Sequence, residues 1–287
     1  MLVTGAKGQV AQDILFLSSF TPQLTFHFFT REQLDITSRQ NVRNIIKKIN
    51  PDYIINTAAY TKVDLAENES DKAYAVNAYA LQNLAQEAIQ SKIIHLSTDY
   101  VYHSSSIKPL KENSELNPQS VYAKSKLQGE VILRNAHPKY IIFRTSWVYG
   151  PHGHNFLKTI LRLCKERSTL KIVDDQIGSP TYTLDLAQLI LHFIISTENL
   201  GISPSAWNTI YNYSNEGALT WYEFAKTIIS QAELKTKVIP IPSYLYPTLA
   251  KRPFYSVLDL EKIKNIPGVR VYNWKERITH CLERIVN

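Results

Sequence analysis

The 287-residue sequence has few cysteines, no long apolar run and no concentrated block of basic residues. Its two cysteines, Cys164 and Cys281, lie far apart and lack the spacing of zinc ligands, which argues against a disulfide framework and against a zinc site. No segment approaches the ~20 apolar residues that a membrane span needs, and the first residues do not resemble a signal peptide. We therefore expect a reduced, cytoplasmic protein that has no membrane partner.

The chain is basic, with a formal net charge of +7. Its lysines and arginines are spread along the whole sequence rather than clustered, and they are not interleaved with aromatic residues as in RNA-binding motifs. This distribution argues against nucleic acid as a partner and favours a mild attraction for anionic small molecules.

Short apolar segments alternate with amphipathic segments through the first half of the chain, which predicts a parallel sheet with helices on both faces. We predict an α/β protein with a doubly wound parallel Rossmann sheet and a smaller, mixed α/β substrate lobe. The Rossmann domain is assigned to residues 1–145, with residues 182–213 returning to it, and the substrate lobe mainly to residues 146–287. The strands are predicted at residues 2–4, 24–29, 51–56, 92–97, 140–144, 170–173 and 209–214.

Helical periodicity is strongest where apolar residues recur every three or four positions. Asn117 and Pro118 have the residue types of an N-cap and a first helical position, and they predict a helix start. Residues 174–181 are expected to form a loop, and three prolines, Pro240, Pro242 and Pro247, to break up the following region. The other helices are predicted to cover residues 13–20, 37–49, 70–89, 155–167, 184–196 and 275–286.

A glycine turn follows the first predicted strand. Gly5 permits a tight turn, Gly8 lets backbone N–H groups approach a pyrophosphate, and Ala11 is small enough for the next helix to pack on the strand. The pyrophosphate would lie at the helix N-terminus, where unpaired donors favour negative charge. The pattern on its own is also compatible with an ordinary strand–helix turn.

The residues after the second predicted strand bear on cofactor choice. NAD-binding sites usually have an acidic residue there, which binds the ribose hydroxyls. Here Thr30 and Arg31 follow the strand, and a hydroxyl with a guanidinium suits the 2′-phosphate of NADPH. The sequence predicts a preference for NADPH, or use of both NADPH and NADH, although a solvated arginine at a strand end is an equally simple interpretation.

A strand ending in Thr98 and a helix carrying Tyr122 and Lys126 supply the residue types of a proton-transfer site. Residues four apart lie on one face of a helix, and a nearby ammonium is expected to lower the pKa of a phenol toward neutrality. Tyr222 and Lys226 have the same spacing, and with 17 tyrosines about one such pair is expected by chance. Only the first pair follows a strand with a terminal hydroxyl, so we expect that pair to be catalytic.

At this point several motifs, in the same order and over most of the chain, resemble the dTDP-4-dehydrorhamnose reductase family of extended short-chain dehydrogenases/reductases. The strand-end and YxxxK motifs are common to the superfamily, whereas VDDQIGSPT together with RPFYSVLD is more specific to this branch. The motifs are GAKGQVAQ, LDIT, PDYIINTAAYTKVDLAE, HLSTDYVY, NPQSVYAKSKLQGE, FRTSWVYG, NFLKTILRLCKER, VDDQIGSPT and RPFYSVLD.

The resemblance implies NAD(P)H-dependent reduction of the C4 ketone of dTDP-4-dehydro-β-L-rhamnose to dTDP-β-L-rhamnose, the last step of dTDP-rhamnose biosynthesis. It implies that Tyr122 donates a proton to the C4 oxygen, that Lys126 lowers the Tyr122 pKa and binds the nicotinamide ribose, and that Thr98 hydrogen-bonds the ketone. The implied contacts are Gly8, Gln9, Val10, Asp35, Ile36, Ala58, Ala59 and Tyr60 to the cofactor, and Asp99, Tyr100, Trp147, Asn155 and Arg252 to the sugar nucleotide.

The resemblance leaves the metal and the oligomeric state open. Some members of this family use acidic side chains to hold Mg²⁺ at a dimer contact. Asp13 matches one of these acids, but Leu184 stands where another is expected. We therefore assign no metal ligand, consider a role for Mg²⁺ doubtful and leave a homodimer open.

Two other functions are compatible with the same fold. The β subunit of methionine adenosyltransferase is a regulatory relative without catalytic activity, although here Thr98, Tyr122 and Lys126 are all present. Sugar-nucleotide epimerases and dehydratases are the other class. They lack the VDDQIGSPT pairing, and a dehydratase needs an acid after the strand-end threonine, a requirement that Asp99 meets.

Overall fold

The computed structural model describes residues 1–103, 107–199 and 206–286. Its centre is a six-stranded sheet with the strand order β10-β5-β4-β3-β1-β2, in which every neighbouring pair runs parallel. The strands are β1 Leu2–Thr4, β2 His27–Phe29, β3 Tyr53–Asn56, β4 Lys92–Thr98, β5 Tyr140–Thr145, β6 Val148–Tyr149, β7 Thr169–Val173, β8 Ile177–Gly178, β9 Thr181–Tyr182, β10 Thr209–Tyr213, β11 Leu219–Thr220 and β12 Lys237–Ile241.

Helices follow most of these strands. Within the part of the chain that is described, no helix is both long and apolar enough to cross a membrane. The helices are α1 Gln9–Ser18, α2 Arg39–Ile49, α3 Val63–Ala66, α4 Ser70–Tyr74, α5 Ala80–Glu87, α6 Val121–Ala136, α7 Phe156–Glu166, α8 Thr183–Asn199, α9 Trp221–Gln231, α10 Glu261–Lys264 and α11 Trp274–Val286, with a π-helical turn at Ala75–Tyr79 and 3₁₀ turns at Asp99–Val101 and Ser243–Leu245.

The central sheet is covered on both faces, so the predicted doubly wound Rossmann fold is confirmed. On one face α1 and α8 pack on the sheet, and their buried residues form one core with Val3 and Ile55. On the other face α2, α5 and α6 enclose a second core that includes Ile54 and Ile93. Strands buried on both faces read as continuous apolar runs, which is why they stood out in the sequence.

A smaller lobe lies beyond β5. It contains three two-stranded pairs, β12 with β7, β11 with β8, and β6 with β9, around a third core that includes Tyr149, Phe224 and Trp274. In the segment 182–213, α8 packs on the main sheet and β10 extends the sheet beside β5. Residues 200–205 lie outside the described residues. The exact domain bounds stay a prediction.

Three predicted elements differ from the structure. The helix predicted over residues 70–89 is interrupted by the π-helical turn at Ala75–Tyr79, which holds one extra residue. The predicted helix start at Asn117 and Pro118 is wrong, because Ser120 is the N-cap of α6 and accepts a hydrogen bond from the Ala123 N–H at 3.1 Å. The loop predicted at 174–181 contains the short strands β8 and β9.

Among the elements of the smaller lobe that were not predicted, two are longer than a single turn or a two-residue strand. One is α9, whose N-cap Thr220 forms a reciprocal capping box with Glu223. The other is β12, which contains Pro240 although the prolines were expected to break up this region. Because β12 pairs only with β7, the missing N–H of Pro240 can face away from the pair, as in edge strands.

Candidate active site

The glycine turn at the end of β1 has the geometry of a pyrophosphate cradle. Gly5 has a positive φ of 66°, and a Cβ there would lie 2.9 Å from the backbone nitrogen of Ala58, so a side chain is excluded on both counts. Gly8 is the N-cap of α1 and makes no side-chain cap hydrogen bond, which leaves N–H donors of the first turn for an anion. These observations fit a dinucleotide cofactor.

The other residues predicted to contact the cofactor are either buried or exposed after the end of β2. Val10 and Ile36 are buried, at 6% and 4% exposure, so they can offer a cofactor only their backbone. Thr30 and Arg31 follow β2 as predicted, and the Arg31 guanidinium is exposed with Asp35 at 4.0 Å. Asp35 also accepts hydrogen bonds from the N–H and the hydroxyl of Thr37, and these bonds fix the loop.

The small residues after β3 are held in place from below. The N–H of Tyr60 donates to Oδ1 of Asn77 at 2.8 Å, and Nδ2 of Asn77 donates back to the Tyr60 carbonyl at 3.1 Å. Asn77 lies in the π-helical turn, and α6 packs on it so closely that a Cβ at Gly129 would overlap the Asn77 carbonyl oxygen. The backbone that follows Ala58 and Ala59 is thus held at Tyr60 by Asn77, which α6 packs against.

Thr98 and Tyr122 meet where β4 ends. The two side chains lie close enough for the Thr98 hydroxyl to lower the Tyr122 pKa, and the Thr98 oxygen accepts the N–H of Tyr100 at 3.3 Å. Lys126 lies one turn further along α6 and is almost fully buried, at 2% exposure. The structure therefore brings the three predicted catalytic residues to one end of the sheet.

The electrostatics of this trio differ from the expectation. Burial raises the pKa of Tyr122 to about 12, and the neighbouring Thr98 hydroxyl only partly opposes this rise. Burial also lowers the pKa of Lys126 to about 8. The predicted lowering of the Tyr122 pKa by Lys126 is wrong in this structure, because the Lys126 ammonium is directed at the Leu96 carbonyl oxygen, at 2.6 Å.

Asp99 is buried beside the Thr98 hydroxyl, at 2% exposure. Its Oδ1 accepts a hydrogen bond from Thr98 at 3.1 Å, its Oδ2 has no hydrogen-bond partner among the described residues, and the Ser256 side chain lies close enough to lower the Asp99 pKa. Burial raises the pKa of the Asp99 carboxyl to about 7. Ser256 itself donates its N–H to the Ile177 carbonyl at 2.8 Å, so the two family-specific motifs of the smaller lobe lie side by side and contact the site.

Arg252 reaches the same region from the smaller lobe. Its guanidinium forms a bidentate ion pair with Asp64, at 2.6 and 3.1 Å, and interacts electrostatically with Tyr100. The Tyr100 ring makes an edge contact with Tyr122, with centroids 6.0 Å apart. Sequence reasoning missed Asp64, because it lies 188 positions from Arg252 in the chain.

Two other predicted substrate contacts have partners within the protein. Trp147 stacks on Trp221, with ring centroids 3.5 Å apart and planes 10° from parallel, so one face of the indole is covered. Asn155 is the N-cap of α7, and its Nδ2 donates to Gln9 of the glycine turn at 2.8 Å. Trp221 was not singled out from the sequence, and Asn155 connects the smaller lobe to the cofactor turn.

A large cavity of about 1240 Å³ opens between α7, β7 and the segment that leads to Arg252. Trp221 and Tyr246 are among its aromatic lining residues. The described residues that line it include basic side chains and none that is acidic; the basic ones are Arg162, Arg167, Lys171, Lys251 and Arg252. Such a cavity suits a ligand that combines an apolar or aromatic group with negative charge.

The residues present do not fit a Mg²⁺ site. Asp13 is fully buried, and its carboxylate lies 2.7 Å from the Arg284 guanidinium. Asp185, next to Leu184, is paired with Arg277 at 2.9 Å. The described residues contain no group of three potential metal ligands, and arginines occupy the positions where a metal would neutralise these acids.

Comparison with known proteins places these features in one family. The model of the RmlD substrate binding domain matches residues 1–287. The dTDP-4-dehydrorhamnose reductase of Aggregatibacter actinomycetemcomitans is 39% identical over 286 residues, which cover 97% of this chain and 96% of that protein. The Bacillus subtilis spore coat polysaccharide biosynthesis protein SpsK is 37% identical and covers 99% of this chain, which covers 96% of SpsK.

Solved structures agree with the sequence comparison. A dTDP-4-dehydrorhamnose reductase from Bacillus anthracis, in complex with NADP, superposes with a TM-score of 0.91 at 35% identity and covers 99% of this chain and 98% of its own. A UDP-glucose 4-epimerase from Thermus thermophilus, at 20% identity and a TM-score of 0.80, covers 100% of this chain and 98% of its own and shares the fold alone. The sequence resemblance is thereby confirmed, and the chain belongs to the RmlD substrate-binding family.

Proposed function

We propose that this protein reduces the C4 ketone of dTDP-4-dehydro-β-L-rhamnose to dTDP-β-L-rhamnose, the last step of dTDP-rhamnose biosynthesis. The observation that carries the proposal is that Thr98 and Tyr122 lie side by side near the buried Lys126, in a chain similar from end to end to a dTDP-4-dehydrorhamnose reductase. NADPH, when bound, supplies the hydride that reduces the ketone carbon.

The chain's own residues supply the proton and the electrostatic stabilisation. The Tyr122 hydroxyl donates its proton to the C4 oxygen as negative charge develops there, and Thr98 donates a hydrogen bond to the same oxygen. A phenol with a raised pKa stays protonated at neutral pH, which suits it to act as the acid. Lys126 contributes positive charge close to the developing alkoxide, where stabilisation is strongest in a site that excludes water.

The nucleotide end of the substrate is proposed to occupy the cavity beside Arg252. The sugar would lie near Tyr122 and Tyr100, and the diphosphate near the Arg252 guanidinium, since arginine binds phosphate oxygens in a bidentate geometry. The excess of basic side chains along the cavity and the aromatic surface of Trp221 support this orientation.

Cofactor preference and location follow from smaller features. We propose NADPH as the preferred cofactor, because the Arg31 guanidinium is exposed at the end of β2, with the nearest carboxylate, that of Asp35, 4.0 Å away. The adjacent Glu32, which pairs with Lys7 at 3.3 Å, leaves use of NADH open. The two free cysteines support a cytoplasmic protein, and a homodimer without a metal bridge is compatible with these residues.

The decisive experiment is a coupled comparison of substrates. Purified protein is mixed with NADPH and dTDP-4-dehydrorhamnose, and the loss of NADPH absorbance is followed. We expect turnover, and a higher KM for NADH than for NADPH. Binding of NADPH without turnover would favour the regulatory-subunit alternative, and conversion of dTDP-glucose would favour the epimerase or dehydratase class. A variant with Arg31→Ala is expected to raise KM for NADPH several-fold more than KM for NADH.

A further inference from the structure

A buried polar chain lies beneath the proposed catalytic helix. Nζ of Lys126 is 3.2 Å from Nε2 of His95, in addition to its hydrogen bond with the Leu96 carbonyl. Lys126 and His95 are exposed by only 2% and 1%. Since an ammonium has three donors, two are directed into the sheet and one is left for the substrate side.

The chain continues across the strand ends. Nδ1 of His95 is 3.0 Å from Nδ2 of Asn56, and Oδ1 of Asn56 accepts the Thr4 hydroxyl at 2.6 Å. The Thr4 oxygen accepts the N–H of Ala58 at 3.3 Å. These side chains come from the neighbouring strands β4, β3 and β1, so an unbroken series of polar contacts connects Lys126 to the backbone next to the glycine turn.

The direction of the hydrogen bonds depends on the charge of Lys126. Burial lowers the pKa of His95 well below 6.5, so its imidazole is neutral and has one N–H and one acceptor nitrogen. An ammonium at Lys126 donates to Nε2, which puts the hydrogen on Nδ1 and requires the Asn56 amide to present its oxygen there. The free amine allows the opposite polarity, because amide oxygen and nitrogen fit the same space.

No carboxylate among the described residues is paired with Lys126. Glu130, one helical turn further on, raises the Lys126 pKa, but its carboxylate is held by the buried Arg144 at 2.6 Å and by the Ser97 hydroxyl. Glu130 and His95 are the titratable groups that face the ammonium from α6 and β4. The His95 imidazole is therefore the side-chain acceptor that Lys126 does not share with another cation.

We propose that His95 is a positioning residue for the catalytic lysine. Its imidazole accepts a hydrogen bond from Lys126, holds Nζ at a fixed depth in the sheet and connects it, through Asn56 and Thr4, to the strand ends of the cofactor cradle. His95 exchanges tautomers when Lys126 loses its proton. This inference rests on the proposed reductase function for its kinetic consequences, but not for the hydrogen bonds themselves.

The kinetic test compares His95→Phe with His95→Gln. The phenyl ring fills the space without an acceptor, so we expect kcat to fall about tenfold, with KM for the sugar nucleotide changed less than twofold. Because the ammonium loses a stabilising partner, the alkaline limb of the kcat–pH profile should move to lower pH by about one unit. His95→Gln restores an acceptor and should return most of both effects.

The matched control is His137→Phe at the end of α6. His137 is equally buried, at 3% exposure, and its Nε2 is 3.1 Å from the Ala88 carbonyl, far from the site. This variant should leave the pH profile in place even if it lowers stability. An unshifted profile in His95→Phe, or the same shift in His137→Phe, would overturn the positioning role.

A second measurement needs no turnover. ¹⁵N NMR of histidine-labelled wild-type protein should show His95 with its hydrogen on Nδ1 below the Lys126 pKa of about 8 and on Nε2 above it. An imidazolium, or one tautomer throughout, would contradict the proposal. If the wild type shows the tautomer exchange but no NADPH oxidation, the reductase function fails and the hydrogen-bond chain stands. If the wild type oxidises NADPH but His95→Phe has no effect, the reductase function stands and the positioning role of His95 fails.

Discussion

Two helices of this protein carry a tyrosine and a lysine four residues apart, and their surroundings differ in every respect that matters for chemistry. On α6, Tyr122 lies beside Thr98, and Lys126 is buried. On α9, Lys226 is exposed to solvent and lies 6.0 Å from the ring centroid of Tyr222. The first pair lies at the end of a parallel strand, whereas the second lies on the smaller lobe.

The difference shows that spacing alone does not make a site. The motif fixes only that two side chains share a helix face. A reactive pair also needs a strand end that supplies a hydroxyl and a buried surrounding that makes each charge count. In α9 the contribution to the site comes instead from Trp221, the residue before Tyr222, which stacks on Trp147.

The largest expected effect separates the two tyrosines. Tyr122→Phe removes the proposed acid, and kcat should fall at least ~10²-fold, as expected for loss of a general acid. Tyr222→Phe is the matched control and should stay within about twofold of wild type. Steady-state NADPH oxidation measures both. Equal rates in the wild type and Tyr122→Phe would reject the proposed mechanism.

The two lysines should differ next. Lys126→Met keeps much of the side-chain volume but removes the positive charge, so we expect kcat to fall roughly tenfold to 10²-fold and KM for NADPH to rise. Lys226→Met removes an exposed charge and should change neither parameter measurably. A similar loss in both variants would mean that the two helices are not functionally distinct. Thermal unfolding of each variant controls for a loss of folded protein.

A smaller effect is expected where the second lobe reaches the α6 pair. Arg252→Lys keeps the charge but loses the bidentate geometry toward Asp64 and toward phosphate, so KM for the sugar nucleotide should rise about tenfold with kcat nearly unchanged. Arg39→Lys, which alters an ion pair with Glu87 on the far helices, is the control. A fall in kcat alone would place Arg252 in the chemistry rather than in binding.

The last prediction concerns the pH dependence of the free energy of unfolding. The folded-state pKa of Asp99 is raised from 3.8 to about 7, so between these values the folded protein binds more protons than the unfolded chain, and stability from this group falls as pH rises. Asp99→Asn removes the titration. The variant should gain stability relative to wild type between acidic and alkaline pH by on the order of 4 kcal/mol, measured by urea unfolding. A constant difference would contradict the raised pKa.

Much of the fold could be predicted because parallel strands buried on both faces leave apolar runs in the sequence. The exceptions have physical causes. The π-helical turn at Ala75–Tyr79 adds one residue without changing the helical pattern enough to notice. Pro240 argues against a strand in general, but the two-stranded pair of β12 and β7 tolerates a missing N–H.

The candidate site could be predicted only for residues that lie at the end of a parallel strand or on the helix that follows it. Thr98, Tyr122 and Lys126 follow from one βα unit, so their approach is a local consequence of the fold. Arg252 and Asp64 are 188 positions apart, and no pattern in a single sequence connects them. The direction of the Lys126 ammonium was also beyond reach, since it depends on His95 beneath the helix.

The contact between Gly129 and the π-helical turn has a consequence for how this protein can vary. Since even a methyl group at position 129 would collide with the Asn77 carbonyl, α6 cannot shift without pushing on the turn, and Asn77 holds the backbone of Tyr60. Damage at one end of this mechanical linkage should be felt at the other. We therefore expect Gly129→Ala, a change without any contact with ligand, to weaken NADPH binding and to lower kcat together, which an NADPH titration and steady-state turnover would measure.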